Sequence, residues 1–257
     1  MPTRDTPWPD GTPCWVDVGT PDMDGAKAFY SALFGWEYVG GDAEFGGYSS
    51  AQLDGRMVAG LGPQQDPDDP TRWTTYFAAS DAAAGAERIR AAGGRVLVEP
   101  MEVGPMGTMV IALDPQGNPF GLWQAGMHTG YQIHNEPGAL AWNEAMVDDT
   151  SGAKQFYTAV FGFGFDQLGA EDGAGTDYAT FSTGGNPLGG LAASDPSMPT
   201  GWLTCFAVGA TDDTVALVEA KGGKVVTPPE DTPFGRFAVV EDPWGASFEV
   251  LQDTTSG

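Results

Sequence analysis

The sequence repeats itself, and this repeat constrains the fold more than any other feature. The stretch GAKAFYSALFGWEY at residues 25–38 returns as GAKQFYTAVFGFGF at residues 152–165. Three further blocks return in the same order: RWTTYFAASD as GWLTCFAVGATD, AAGGRVLVEP as AKGGKVVTPP, and LDPQGNPFGLWQ as EDPWGASFEVLQ. Self-similarity at a nearly fixed period indicates a duplicated structural unit. We therefore predict two modules, residues 1–126 and 139–257, joined by a linker at residues 127–138.

Each module is predicted to mix helices with short strands. The chain contains 38 Gly and 20 Pro, which favour short elements joined by tight turns. In module one the strand-like PCWVDVGT precedes a helix, for which Asp22 and Asp24 are N-cap candidates and Gly35 ends the pattern. A second helix is predicted in DAAAGAERIRAAGG. Short strands are expected around residues 48–53, 57–61, 73–78, 96–99, 109–114 and 119–124.

Module two repeats this order of elements. The prediction is thus an α+β protein of two tandem βαβββ-type modules. Their mixed and antiparallel strands would form a curved sheet, shaped as a cup, with the helices on its outer face.

The charge of the chain argues against two classes of partner. Asp and Glu number 35 against 11 Lys and Arg, so the net charge is -24. A field of this sign repels the phosphates of nucleic acids and anionic lipids, so we expect neither nucleic acid nor membrane as a partner. The sequence has neither a signal-peptide pattern nor a run of about 18 apolar residues, and we expect a cytoplasmic protein. Cys14 and Cys205 are predicted to be buried reduced thiols.

Three motifs together indicate a family. The opening strand, the D-x-D-x-A-K-x-F-Y helix and the closing D-P-x-G hairpin resemble the vicinal oxygen chelate superfamily over nearly the whole chain. The chain is most similar to two-module bacterial members labelled glyoxalase-like or hydroxylase. The resemblance implies an open cup in which the family's enzymes use a divalent metal to polarise their substrate. The family also includes drug-binding proteins that catalyse no reaction, so the resemblance implies a fold more strongly than an activity.

The resemblance also locates the positions of the family's metal ligands. On the opening strands these positions hold Trp15 and Trp142, and on the closing strands they hold Gly121 and Glu249. A divalent cation is not held by one carboxylate against its cost of dehydration. The two histidines, His128 and His134, fall in the linker, which we expect to lie away from these positions. We therefore predict neither a metal site nor another cofactor.

Strand alternation predicts which side chains share the cup. Residues two apart point to the same face, so Trp15 brings Asp17, Trp142 brings Glu144 and Met146, and Gly121 brings Trp123. Gly121 is expected to leave room in the cup. The catalytic candidates are Glu249, Glu144 and Asp17. The substrate-binding candidates are Trp15, Trp142, Trp123, Gly121, Tyr48, Tyr178 and Met146.

Each candidate also has a structural interpretation. The two Trp residues at equivalent positions are also consistent with core side chains that fill the cup. Asp17 and Glu144 are also consistent with partners of backbone N–H groups or of an arginine such as Arg56. Glu249 is also consistent with an inherited position that has no present role.

Three functions are compatible with this pattern. The first is metal-free dehydration, cyclisation or isomerisation of an aromatic or polycyclic metabolite, held between Trp15, Trp142 and Trp123 and acted on by a carboxyl of raised pKa. The second is binding or sequestration of such a molecule without conversion. The third is a metal-dependent glyoxalase, dioxygenase or hydroxylase with a displaced metal site. A monomer or a homodimer is expected.

Overall fold

The computed structural model describes residues 3–42, 46–168, 177–196 and 198–252, and these form two eight-stranded sheets, one for each repeat. The elements of module one are β1 (Pro13–Thr20), α1 (Met23–Phe34), β2 (Glu37–Gly40), β3 (Ser49–Leu53), β4 (Arg56–Pro63), β5 (Trp73–Ala78), α2 (Ala82–Ala91), β6 (Arg95–Glu102), β7 (Gly107–Leu113) and β8 (Pro119–Ala125). Those of module two are β9 (Leu140–Val147), α3 (Thr150–Phe161), β10 (Gly164–Gln167), β11 (Tyr178–Ser182), β12 (Gly189–Ala193), β13 (Gly201–Ala207), α4 (Thr211–Ala220), β14 (Lys224–Thr232), β15 (Gly235–Glu241) and β16 (Ser247–Gln252).

Each sheet is built from two βαβββ units placed side by side. The strand order of the first sheet is β2-β3-β4-β1-β5-β8-β7-β6, and the second sheet has the equivalent order. The central pair, β1 and β5, is antiparallel, whereas β4 runs parallel to β1 and β8 runs parallel to β5. The predicted α+β fold of two tandem modules is confirmed, and the βαβββ motif occurs twice within each module. The strands β2 and β10, which we did not predict, have four residues each and are largely exposed.

The helix ends follow from local sequence. Asp22 is the N-cap of α1 and its side chain accepts from the backbone N–H of Gly25 at 3.0 Å. The other predicted candidate, Asp24, lies in the first turn, where the negative charge of a carboxylate interacts favourably with the helix dipole. Gly35 ends α1 with a φ of 72°, a left-handed conformation that glycine adopts without strain.

The two sheets face each other through the sides that carry the helices. Phe77 of β5 lies 4.9 Å from Trp202 of β13 between ring centroids, and Phe34 of α1 lies 4.9 Å from Phe206 of β13. The hydroxyl of Thr75 also donates to the side-chain oxygen of Asn143 at 3.0 Å. Neighbouring residues along a strand point to opposite faces. The alternate residues of these strands therefore point outward, away from the other module.

Two reciprocal hydrogen bonds join the modules. The hydroxyl of Tyr30 on α1 donates to Asp242 at 2.8 Å, and the hydroxyl of Tyr157 on α3 donates to Asp114 at 3.0 Å. Each aspartate is buried and begins the D-P-x-G turn of the opposite module, where it also accepts backbone N–H groups of its own turn. The Phe-Tyr helix and the D-P-x-G turn, which carry the family resemblance, therefore also help to connect the two modules.

Within the described ranges, no helix is both long enough and apolar enough to cross a membrane. Cys14 and Cys205 are free and buried, as predicted.

The reciprocal bonds predict a coupling that can be measured. Replacing Tyr30 with Phe leaves the buried carboxyl of Asp242 without one donor, so Y30F should lower the free energy of unfolding by about 1–3 kcal/mol. The double variant Y30F/D242N should lose less than the sum of the two single variants, by at least about 0.5 kcal/mol. Urea denaturation measures all three values.

Tyr131 of the linker provides the control, because its buried hydroxyl donates to the backbone carbonyl of Pro13 and not to module two. Y131F should therefore add to D242N without coupling. Additive losses for Y30F and D242N would show that their hydrogen bond does not contribute to stability.

Candidate functional site

On the outward face of module one, three side chains form a chain of hydrogen bonds. The indole N–H of Trp15 donates to the hydroxyl of Tyr48 at 2.9 Å, and that hydroxyl donates to the carboxylate of Asp17 at 3.2 Å. Gly60 is the register partner of Asp17 on β4. A β-carbon at Gly60 would overlap the Tyr48 hydroxyl, so the glycine allows the tyrosine to lie across the strand. We call these three residues the relay of module one.

Module two contains the same arrangement. The indole N–H of Trp142 donates to the hydroxyl of Tyr178 at 2.9 Å, and Tyr178 donates to Glu144 at 2.8 Å. Gly190, the register partner of Glu144, makes room for the Tyr178 hydroxyl as Gly60 does for Tyr48. These three residues are the relay of module two. Sequence reasoning had not connected the two glycines to the site, although both fall in the repeat.

The two relays lie in separate cups, which corrects the expectation of one shared cup. Trp15 and Trp123 belong to the first sheet and Trp142 to the second. The two sheets meet through the faces that do not carry these tryptophans. A flat ligand held between all three tryptophans is therefore ruled out, because the tryptophans of the two sheets point away from each other. Module two brings together Trp142, Tyr178, Glu144 and Glu249. Met146 is buried, and alternation along β9 places it on the same face as Glu144.

One pair of register partners distinguishes the chemistry of the two cups. In module one these are Tyr76 on β5 and Gly121 on β8, and in module two they are Cys205 on β13 and Glu249 on β16. A β-carbon at Gly121 would overlap the ring of Tyr76, so the glycine does not leave the room that we expected. In module one the bulky side chain of this pair is Tyr76 on β5, whereas in module two it is Glu249 on β16. Tyr76 and Cys205, absent from the sequence-based candidates, could have been found by comparing the repeats at this pair.

Glu144 and Glu249 form a buried carboxyl pair. Their side chains are hydrogen-bonded to each other, and the two residues are 9% and 5% exposed. Burial raises the pKa of both groups, and the charge of Glu144 raises the pKa of Glu249 further, well above its ordinary range. Tyr178 donates to Glu144 and thereby stabilises its ionised form. Two carboxyls in such contact titrate as a pair, and one proton shared between them would remove the repulsion between two buried charges.

Asp17 is the single carboxyl of the module-one relay. Burial raises its pKa to about 7, and hydrogen bonds from Tyr48 and Tyr76 oppose this increase. Arg56, considered as a partner of Asp17, forms its ion pair with Asp5 at 3.1 Å.

His128 corrects the expectation that the linker histidines lie away from the site. Its ring packs edge-on against Trp15, with ring centroids 4.3 Å apart, and its backbone carbonyl accepts the indole N–H of Trp123 at 2.8 Å. Burial lowers the pKa of the imidazole to about 4. Trp15 is thus covered and 3% exposed, as a core residue would be, whereas Trp142 is half-buried. The sequence contains no signal that the linker folds back here.

The donor atoms in the cups do not match the family's metal. Of the four equivalent positions, Trp15 and Trp142 carry an indole N–H that only donates, and Gly121 is blocked by Tyr76. Glu249 is the one carboxylate among them. Across the described residues, no group of three or more His, Cys, Asp or Glu side chains is arranged to hold an ion. The residues at these positions therefore do not fit a divalent metal.

The raised pKa of Asp17 predicts a pH-dependent stability. An unfolded aspartate has a pKa of about 3.9, so the folded chain binds this proton more tightly and loses stability as pH rises from about 4 to about 7. In D17N this loss is absent. The Tm of D17N minus that of the wild type should therefore grow across this range and stay constant above it.

The control is D54N, at an exposed turn residue with a φ of 51° that asparagine tolerates. D54N makes the same change in net charge and should give a difference that does not follow this profile. A flat profile for D17N would contradict the raised pKa.

Comparison with known proteins agrees with this architecture. Residues 129–250 match the profile of the Glyoxalase/Bleomycin resistance protein/Dioxygenase superfamily, and residues 15–123 match a Glyoxalase-like domain. Among solved structures, a Mn(II)-bound glyoxalase from Novosphingobium aromaticivorans is similar with a TM-score of 0.66 at 19% identity, over 95% of this chain and 83% of that one. The 2,3-dioxygenase LapB from Pseudomonas sp. KL28 also gives 0.66, at 16% identity over 95% and 93%.

Two relatives are similar over nearly their whole length. "Putative glyoxylase CFP32" of Mycobacterium tuberculosis is 40% identical, covering 98% of both chains. "Anthracycline biosynthesis protein DnrV" of Streptomyces peucetius is 35% identical, covering 94% of this chain and 93% of its own. With both modules matched by family profiles and the fold shared with solved members, this chain belongs to the glyoxalase/bleomycin resistance/dioxygenase superfamily, the vicinal oxygen chelate superfamily.

Proposed function

We propose that module two is the catalytic cup of a metal-independent enzyme that moves protons on a flat aromatic or polycyclic metabolite. The observation that supports this most directly is the buried Glu144–Glu249 pair, in which burial raises the pKa of both carboxyls. A pair of carboxyls whose environments separate their pKa values can supply an acid and a base at the same pH. Module one lacks this capacity, because Gly121 stands where module two has Glu249.

The hydrogen bonds assign a role to each carboxyl. Glu144 accepts from Tyr178 and is the ionised member, so it is the base that takes a proton from a carbon next to a carbonyl. Glu249 holds the proton and is the acid that gives it to the carbonyl or departing oxygen. The shared hydrogen bond between the two groups then returns the proton from Glu144 to Glu249. This cycle supports enolisation, cyclisation through the enol and, when an oxygen leaves as water, dehydration.

The walls of the module-two cup suit a flat apolar substrate. Trp142 and Tyr178 are half-buried. Phe237 on β15 is the register partner of Leu251 on β16, which lies two residues from Glu249 and on the same face. Aromatic rings of a ligand pack favourably on such surfaces. The 35% identity with an anthracycline biosynthesis protein supports a polycyclic aromatic substrate. Asp17, the third predicted catalytic residue, lies in module one, where Tyr76 takes the place of a second carboxyl, and it has no part in this cycle.

The roles of the two glutamates predict the behaviour of their amide variants. Glu249→Gln and Glu144→Gln each remove one member of the proton cycle, so turnover should fall about a hundredfold or more while ligand binding is largely retained. The substrate is first identified by untargeted mass spectrometry of small molecules that co-purify with the protein. Its conversion and its proton exchange with D2O are then followed for each variant.

D17N is the matched control, because it neutralises a buried carboxyl in the other cup. If module two is catalytic, D17N keeps wild-type turnover. A ligand that binds tightly but is recovered intact and unexchanged from D2O would instead establish a sequestration protein. Unchanged rates in E144Q and E249Q would refute the proposed roles.

A further inference from the structure

A cavity of about 230 Å³ lies outside both cups, where the modules meet. It is bounded by α3 of module two and by the turn between β7 and β8 of module one. Its lining includes Pro115, Gln116, Asp149, Gly152, Phe156 and Ala159. We call this cavity the α3 groove.

The repeat supplies an equivalent place, and there the protein fills the space itself. The bond between Tyr30 and Asp242 corresponds to that between Tyr157 and Asp114, so α1 with the turn of module two corresponds to α3 with the turn of module one. Trp244 stands in this second turn at the position of Gln116. Its indole lies over α1: a β-carbon at Gly25 would be 2.7 Å from Cζ2 of Trp244. The ring of Phe29 meets the indole edge-on at 6.3 Å.

The α3 groove has the same floor without the indole. Gly152 and Phe156 stand on α3 where Gly25 and Phe29 stand on α1. The three atoms nearest to a β-carbon at Gly152 all belong to Asp149, the N-cap of the same helix. Gln116 turns aside instead. Its side-chain amide donates to the carbonyl of Asp149 at 3.0 Å and accepts the N–H of Asp149 at 2.8 Å.

We propose that the α3 groove is a second binding site, for a free, flat, bicyclic aromatic molecule of the size of indole. The glycine and phenylalanine at the floor of this groove match Gly25 and Phe29 of α1, on which the indole of Trp244 packs. Asp149 is the single charged residue among those that line the groove, so the site disfavours an anionic ligand. A ligand in the groove contacts both modules. It binds the folded chain and so stabilises it.

Indole itself is the probe. Equilibrium dialysis should show one saturable equivalent bound to the wild type, and about 5 mM indole should raise its Tm by at least about 2 °C. Q116W places a tryptophan where the other turn has Trp244, and its indole should fill the groove. The affinity for indole and the increase in Tm should then fall at least about fourfold. W244Q should open the second groove and bind two equivalents.

Two further variants keep the result interpretable. Ala159 is an exposed residue of α3, so A159L narrows the groove from the helix without altering the turn, and it should weaken indole binding as Q116W does. Trp142→Phe alters the module-two cup and should leave indole binding unchanged. The proposal is overturned if indole does not bind saturably, if Q116W and A159L bind it as the wild type does, or if W142F abolishes binding. The catalytic proposal does not depend on this outcome, because E144Q and E249Q test a different face of the protein.

Discussion

The two hydrogen bonds between helix tyrosines and turn aspartates determine how the rest of this structure is arranged. A buried carboxyl is costly unless its oxygens are bonded, and each D-P-x-G aspartate receives part of what it needs from its own turn. The remaining donor is the tyrosine of the other module. Meeting this requirement twice holds the helix-bearing faces of the two sheets together. The cups are consequently directed outward and are separate from each other.

Much of the fold was predictable because it depends on local signals. The duplication, the helix caps at Asp22 and Gly35, and the alternation along β1 and β9 are visible in the sequence, and alternation placed Asp17 beside Trp15 and Glu144 beside Trp142. The relation between the modules was not predictable. No local pattern indicates which face of a sheet meets the other sheet, so the expectation of a shared cup was wrong. Contacts of residues distant in sequence decide such questions.

The candidate site shows the same division between local and distant information. Tyr48 and Tyr178 were suspected as hydroxyl donors, but their bonds to the tryptophans and carboxyls depend on Gly60 and Gly190 across the sheet. The effect of Gly121 was misjudged, because the ring that fills its space comes from a different strand. Moving bulk between register partners preserves the packed volume, and this exchange changes chemistry without changing the fold. One cup keeps a lone carboxyl with two tyrosines, and the other keeps a carboxyl pair.

The central claim is that Glu144 and Glu249 share a proton at neutral pH, and carboxyl ¹³C NMR of protein labelled at glutamate tests it directly. Asp17 carries no label and does not interfere. The account predicts that most glutamate signals titrate near the ordinary pKa of about 4.3, while a signal from the pair stays in the protonated position at pH 7 and is lost in E249Q. If every glutamate signal is ionised at pH 7, or if the protonated signal persists in E249Q, the account is wrong.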